Sequence, residues 1–186
     1  MKKVLTVIAV LALISTASFA QTKFGVKLGT NFANVKYDLD GGGSISPDSK
    51  VGFVIGGFAN FSIVEEKFAI QPELLFSGQG FKMDDDKVSL NYLSVPVIAK
   101  YYFGGFNVQA GPQLGFLMSA KDDGDDIKDN MKGIDLGMNI GAGYDLEMGL
   151  GFDARYYMGM SNISDVDGDD GSLKNKGFQI TVSYAF

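Results

Sequence analysis

The sequence predicts an all-β fold, an eight-stranded antiparallel up-and-down transmembrane β-barrel. Three observations lead to this prediction: eight segments of alternating apolar and polar residues, connections that alternate in length, and charge concentrated in the connections. Alternate side chains of a strand point to opposite faces, so each segment has one apolar and one polar face. The eight segments are residues 23–33, 51–64, 68–81, 90–103, 106–119, 134–146, 150–161 and 178–186.

The polar faces distinguish a lipid-facing barrel from a soluble sandwich, which shows the same alternation. They hold many glycines and amides and few charges, whereas a sheet facing water would carry more lysine and glutamate. Acidic residues cluster instead in residues 84–87, 121–130 and 165–170. Aromatic residues near the segment ends also suit the girdles of a membrane barrel; they are Tyr101, Tyr102, Phe103, Phe106, Tyr144, Tyr156, Tyr184 and Phe186.

The connections predict the up-and-down order. Three are tight (65–67, 104–105 and 147–149), and four are longer and polar (36–50, 82–89, 120–133 and 162–177). Short turns at one end and longer loops at the other are typical of outer-membrane barrels. An even number of strands puts both termini at the short-turn end, which we expect to be periplasmic.

The N-terminus predicts export. A basic start, "MKK", precedes an 11-residue apolar run, "VLTVIAVLALI", and the small residues "STASFA". The run is too short for a spanning helix, which needs about 20 residues. We interpret residues 1–20 as a signal peptide and residues 21–186 as the barrel domain.

Composition excludes several classes of function. The net charge is −6, which argues against nucleic acid as a partner because such binding depends on basic surfaces. The chain has no histidine and no cysteine, so the usual general base and thiol nucleophile are absent. We therefore expect no enzymatic activity and no cofactor.

Pro72, Pro96 and Pro112 stand inside predicted strands, although a closed barrel has no edge to hold a residue without an N–H donor. We expect a bulge or an unpaired donor-free position at each.

The segments together resemble the eight-stranded outer-membrane β-barrels of Bacteroidetes-type bacteria, the group that includes the PorT-like proteins. "QPELLF" and "YLSVPVIAKYYF" are the most specific stretches, and "VQAGPQLGFLMSAK", "GMNIGAGYDL" and "FQITVSYAF" extend the resemblance over most of the chain. The resemblance implies an outer-membrane barrel with a narrow or plugged interior. One branch of the group is linked to protein secretion.

Charged residues on the polar faces form the first candidate site. If these faces point inward, the lumen holds Lys27, Glu73, Lys100, Asp135, Asp153 and Arg155, with Tyr102 and Tyr157 beside them. An isolated buried charge is costly, so these groups must pair. Neighbouring strands suggest the pairs Glu73–Lys100 and Asp135–Arg155. A salt-bridge plug is the favoured interpretation, and a porin-like channel or proton path is the alternative.

The loops and the C-terminus form the remaining candidates. Asp165, Asp167 and Asp169 begin like a calcium loop, but Asp170 and Lys176 break the pattern, so no metal site is predicted. We expect the acidic loops to meet lipopolysaccharide through divalent ions and to contact an unidentified partner. Val182, Tyr184 and Phe186 are the predicted assembly signal for the barrel-insertion machinery.

Overall fold

The computed structural model describes residues 22–38, 43–83, 86–165 and 171–186. The predicted signal peptide lies outside them. Among the described residues, no helix is long and apolar enough to cross a membrane. The strands are β1 (Thr22–Asp38), β2 (Ser44–Ile45), β3 (Asp48–Val64), β4 (Phe68–Met83), β5 (Asp86–Phe103), β6 (Phe106–Asp122), β7 (Asp125–Asp126), β8 (Ile134–Asp145), β9 (Leu150–Gly159) and β10 (Ser172–Ala185).

Eight long antiparallel strands close into a barrel, as the sequence predicts. Their order is β1-β3-β4-β5-β6-β8-β9-β10, and β10 pairs with β1. The last residue joins the seam, because the Phe186 N–H donates to the carbonyl of Phe24 at 2.9 Å. The two-residue strands β2 and β7 only extend β1 and β6 beyond the wall. Closure leaves the main wall without a free sheet edge.

The wall presents apolar side chains outward in a continuous belt. Phe24, Val26 and Leu28 of β1 are each more than half exposed, and the alternate residues Lys27 and Asn31 are buried. The same arrangement continues around the barrel. This is the reverse of a soluble protein and the pattern of a lipid-facing barrel.

The aromatic belt follows the prediction with one correction. Tyr101, Tyr144 and Tyr184 are exposed beside the short turns, as are Phe103 and Phe186. Tyr102, which the sequence analysis placed both among the girdle aromatics and beside the lumen charges, faces inward, and its hydroxyl accepts a hydrogen bond from the Asn60 amide at 3.2 Å. Its position one residue after Tyr101 requires this, since alternate side chains point to opposite faces.

The strands extend further at the loop end than the alternation predicted. β1 runs to Asp38 rather than residue 33, and β10 begins at Ser172 rather than residue 178. Beyond the belt the phase of the pattern inverts: Val35 points inward and is buried, whereas Lys36 points outward and is exposed. The predicted 82–89 connection shrinks to residues 84–85, because β4 and β5 stay paired up to Met83 and Asp86.

The three prolines interrupt the ladders without shifting them. Pro72 lies in a gap of the β3–β4 ladder, Pro96 in a gap of β4–β5 and Pro112 in a gap of β5–β6, and the register is the same on both sides of each gap. The recorded bulges lie elsewhere. Of the two expected alternatives, the structure therefore shows the unpaired donor-free position at each proline rather than a bulge.

Candidate functional site

The barrel interior is layered along its axis. An open vestibule of about 730 Å³ lies at the short-turn end, lined by residues that include Lys23, Asn60, Glu65, Lys100 and Tyr102. Above it lie a layer of charged residues, a layer of amides and an apolar plug at the loop end. Each layer is built from inward-facing residues of several strands.

The charged layer centres on a contact between opposite walls. Arg155 of β9 donates to both carboxylate oxygens of Glu73 of β4, at 2.8 Å from each of its terminal nitrogens. In the order of eight strands, β4 and β9 are four steps apart in either direction, so this pair spans the lumen. A bidentate arginine–carboxylate pair is among the strongest and most directional of polar contacts.

Two lysines complete the neutralisation of Glu73 and of two further carboxylates, Asp153 and Asp145. The Lys27 ammonium lies 2.8 Å from Glu73 and 2.9 Å from Asp153. Lys100 lies 3.5 Å from Asp153 and 3.3 Å from Asp145, whose side chain is partly exposed at the vestibule. Three cations therefore face three carboxylates, which removes the cost of an isolated buried charge.

Two glutamines bind the remaining polar groups. Gln109 accepts a hydrogen bond from Arg155 Nε at 2.6 Å and donates to Asp153 at 2.6 Å. Gln71 donates to Glu73 at 2.6 Å. The amides hold the charged groups in one arrangement, because they occupy sites that each ion pair leaves open.

Phe58 covers the charged layer on the vestibule side. Its ring lies over Lys27, with the ammonium 5.8 Å from the ring centre. The ring packs against Gly25, where an added Cβ would clash with Phe58 Cζ. Glycine at this position therefore makes room for the ring.

An amide layer follows, with a small cavity of about 20 Å³. Asn31 donates to Ser77 Oγ at 2.7 Å and accepts from Gln179 at 3.0 Å, and Asn139 donates to Gln113 at 3.0 Å. A cavity of this size holds about one water molecule. It is too small to be a path for solutes.

Asp135 lies above the amides, apart from the charged layer. Its carboxylate accepts hydrogen bonds from Asn175 at 2.9 Å and Ser161 at 3.0 Å. Within the described part of the chain, no cation forms an ion pair with Asp135. The group is held by hydrogen bonds to a strand and to the β9–β10 loop.

An apolar plug closes the loop end. Seven buried residues from the strands and one loop form it, and Phe81, Ile127, Met131 and Leu173 pack against it. Ile163 comes from the β9–β10 loop, is fully buried and accepts a hydrogen bond at its carbonyl from the Lys132 N–H at 2.8 Å. The plug residues are Val35, Val88, Leu90, Tyr92, Leu117, Ala120 and Ile163.

The structure places all six predicted charges inside the barrel, but the suggested pairs are wrong. Lys100 lies opposite Ala69 rather than Glu73, and Arg155 lies opposite Gly141 rather than Asp135. The strand register therefore separates both pairs along the barrel axis. The contacts that form instead cross the lumen between strands that are not neighbours.

Several interior residues escaped the sequence analysis. Gln71 and Gln109 have the inward phase of their strands, which is a signal that marks them as lumen residues but not as ligands of the ion pairs. The plug residues have a weaker sequence signal: near Val35 and Leu90 the apolar residues occupy the inward rather than the outward positions of their strands. Ile163 has none, because it lies in an irregular loop.

The other predicted residues lie on the outside or beyond the described residues. Val182, Tyr184 and Phe186 are exposed on the wall at the β10–β1 seam. Asp165 donates its backbone N–H to Asn130 at 3.0 Å. Asp167 and Asp169 are outside the described residues, and the described part holds no cluster of acidic residues, histidine or cysteine suited to a metal.

Comparison with known structures finds a neighbour that supports the fold and another of lower similarity. Neisserial surface protein A has a TM-score of 0.53 and 18% identity over 88% of this chain and 97% of its own. The attachment invasion locus protein of Yersinia pestis, solved with the heparin analogue sucrose octasulfate, has a TM-score of 0.49 and 17% identity over 89% of this chain and 99% of its own. No curated protein matches the chain significantly.

A family model agrees with this architecture and assigns the chain to the outer membrane. It matches residues 19–165, most of the chain, and describes an outer membrane protein beta-barrel domain. The closed barrel and its outward apolar belt are what such a domain requires. The chain therefore belongs to the outer membrane protein beta-barrel domain family.

Proposed function

We propose that this protein is a non-conducting outer-membrane barrel with a structural or interaction role, which it performs through the loop end. The contact of Arg155 with Glu73 across the lumen carries the proposal, since it joins opposite walls. The apolar plug is a second barrier. Apart from the Tyr92 hydroxyl its side chains offer an ion no polar partner, so passage of a charge would be costly.

The proposed orientation puts the loops outside the cell and both termini in the periplasm. Loops held on a rigid barrel are well placed to bind partners. The β6–β8 and β9–β10 loops are joined by a bridge between Met131 and Ser164, which gives the loop end a defined shape. The partners we propose are lipopolysaccharide and a protein or polysaccharide ligand. The PorT-like resemblance makes a secretion component one candidate ligand.

Planar bilayer recordings of the purified full-length protein test the closed lumen. We expect no steady conductance. The alternative function is a small porin-like channel for ions or small solutes. Stable single-channel steps that change on Glu73→Ala or Arg155→Ala would establish that channel and contradict our proposal. A band shift between boiled and unboiled samples serves as the control for a folded barrel.

Deletion within the loops tests whether this loop segment is needed for the barrel to fold. We expect removal of residues 166–170 to leave the barrel folded, because loop truncation removes few ladder hydrogen bonds. Ile163 must stay, since it fills the plug. Loss of the band shift in this deletion variant would contradict a role for the loop in recognition alone.

The C-terminal aromatic residue is the proposed assembly signal. Deletion of Phe186 should lower outer-membrane levels and increase periplasmic degradation, because the exposed side chain at the chain end is lost to the insertion machinery. Immunoblots of membrane fractions measure this, with Met148→Ala as a control at another exposed apolar site of the short-turn end. Equal levels of the deletion variant and wild type would rule out the signal.

A further inference from the structure

A niche in the wall of the vestibule brings two side-chain oxygen atoms together. Asp145 of β8, Gly151 of β9 and Ser183 of β10 lie directly opposite one another, in one row across three adjacent strands. Asp145 and Ser183 both line the vestibule at the short-turn end. The glycine between them has no side chain, so a gap opens between the two polar groups.

Both oxygen atoms lie at this gap. A Cβ added to Gly151 would be 2.6 Å from Asp145 Oδ1 and 2.6 Å from Ser183 Oγ. Lys100 and Asn107 instead reach the other carboxylate oxygen, Oδ2, at 3.3 and 3.4 Å. Ser183 is 7% exposed, and its hydroxyl forms no hydrogen bond with any described residue. The niche thus presents a carboxylate oxygen and an unpartnered hydroxyl to a molecule in the vestibule.

The charge of the vestibule favours a cation. Four carboxylates and three lysines line it, so one negative charge is unbalanced. They are Glu65, Glu66, Asp145, Glu147, Lys23, Lys67 and Lys100. The side chain of Lys100 is only 3% exposed and also faces Asp153, whereas that of Asp145 is 32% exposed. This ion pair therefore offers the vestibule its carboxylate rather than its ammonium.

The size and lining of the vestibule indicate an organic cation rather than a metal ion. Two side-chain oxygens are few for calcium, which takes about six to eight. A primary ammonium group has N–H donors for both. Phe58, Tyr102 and Leu146 line the same space and offer aromatic and aliphatic surface to a carbon chain. Its volume of about 730 Å³ is within the range of pockets that hold small organic molecules.

We propose that the vestibule binds a primary aliphatic amine, whose ammonium group donates to Asp145 Oδ1 and Ser183 Oγ above Gly151. The hydrogen bond to the carboxylate is charge-assisted and is therefore the stronger of the two. A free polyamine and a lysine side chain of another protein both carry this group. The niche lies at the end opposite the loops, so this binding function goes beyond the one proposed above.

Calorimetric titration of the purified full-length barrel with putrescine, in nonionic detergent at low salt, tests the niche. We expect saturable binding of one putrescine per barrel and no binding of the neutral analogue butanediol. Asp145→Asn should weaken binding about 10- to 100-fold, as expected for a lost hydrogen bond to a charged group. Ser183→Ala should weaken it about 5-fold without a change of charge. Absence of saturable binding to the wild type would overturn the inference.

Two further variants distinguish the niche from a general attraction. Gly151→Ala keeps every polar group, but its methyl group occupies the gap, so putrescine should no longer bind. Glu65→Gln is the matched control, because it removes one negative charge from the rim and leaves the niche intact; binding should change about twofold or less. Unchanged binding to Gly151→Ala, or equal weakening by Glu65→Gln and Asp145→Asn, would contradict the site. The band shift between boiled and unboiled samples shows that each variant is folded.

Competition experiments separate the sources of the amine and exclude a metal site. Tighter binding of N-acetyllysine amide than of putrescine or spermidine would assign the niche to a lysine of a partner protein. The reverse order would assign it to a free polyamine, and both results agree with the inference. Displacement of putrescine by equimolar calcium at constant ionic strength would establish a metal site and overturn it. Neither failure affects the closed lumen, which is measured separately by conductance.

Discussion

The two ends of the barrel interior differ in how far they admit solvent into the lumen. At the short-turn end an open, polar vestibule reaches down to Lys100 and Tyr102. At the loop end the interior is apolar, and Ile163 closes it from above. The same strands build both ends, so the difference comes from the phase of their alternation. Where lipid surrounds the wall, apolar residues face out; beyond the lipid, they face in.

The difference teaches how a small barrel divides its stability. Within the belt the interior is held by charged and polar contacts, because the apolar residues of the strands are committed to lipid. Beyond the belt a strand has water outside, and its apolar residues turn inward to form a core like that of a soluble protein. The loop end is therefore a folded head rather than a set of solvated loops.

Cysteine accessibility gives the largest expected contrast between the ends. The described chain has no cysteine, so single substitutions report one site each. Ser62→Cys in the vestibule should react with a water-soluble maleimide in the native protein. Ala120→Cys, at a fully buried plug position, should react only after unfolding. Comparable native labelling at both sites would disprove a closed loop end.

Removal of the carboxylate that joins the walls should have the largest effect on stability. Glu73→Ala leaves Arg155 and Lys27 buried beside a vacant site, and loss of one partner of a buried pair costs about 3–5 kcal/mol. Urea titration of the gel band shift measures the free energy of unfolding. Glu65→Ala, at an exposed turn residue, is the control and should change it by about 0.5 kcal/mol or less. Equal effects would refute a stabilising role of the charged layer.

A smaller contrast separates the two buried aspartates. Asp153→Asn removes a charge that faces Lys27 and Lys100 and should cost about 3 kcal/mol. Asp135→Asn removes no ion pair among the described residues and weakens only hydrogen bonds, so about 1 kcal/mol is expected. The same urea titration compares them. A larger loss for Asp135→Asn would show that its charge has a partner that we have not identified.

The smallest effect concerns Asp38 on the outer wall. A hydrogen bond from Lys36 holds the pKa of Asp38 below its usual range. The folded state thus favours the ionised form, and this contribution is present above the usual aspartate pKa and lost as the pH falls through the lowered one. Carbon NMR titration should show the low pKa in wild type and a rise on Lys36→Met. An unchanged pKa in that variant would exclude Lys36 as the cause.

Local alternation was enough to predict the barrel, the number of long strands and their up-and-down order. Each of these follows from short-range rules, since a strand must send alternate residues to opposite faces and tight turns join neighbours. The inward position of Lys27, Glu73 and Arg155 follows from the same rule. Near Val35 the apolar residues of the strand change from the outward to the inward positions, and this change is visible in the sequence. It can be interpreted only when the position of the lipid boundary is known.

Only the closed structure decided which charges meet. Register placed Lys100 opposite Ala69, and closure brought β9 across the lumen from β4, so that Arg155 reached Glu73 over 82 residues of sequence. Neither relation can be derived from alternation, because a period of two is the same in every register. Ile163 entered the plug for a similar reason: its loop folds back over an apolar opening that exists only when all eight strands have closed.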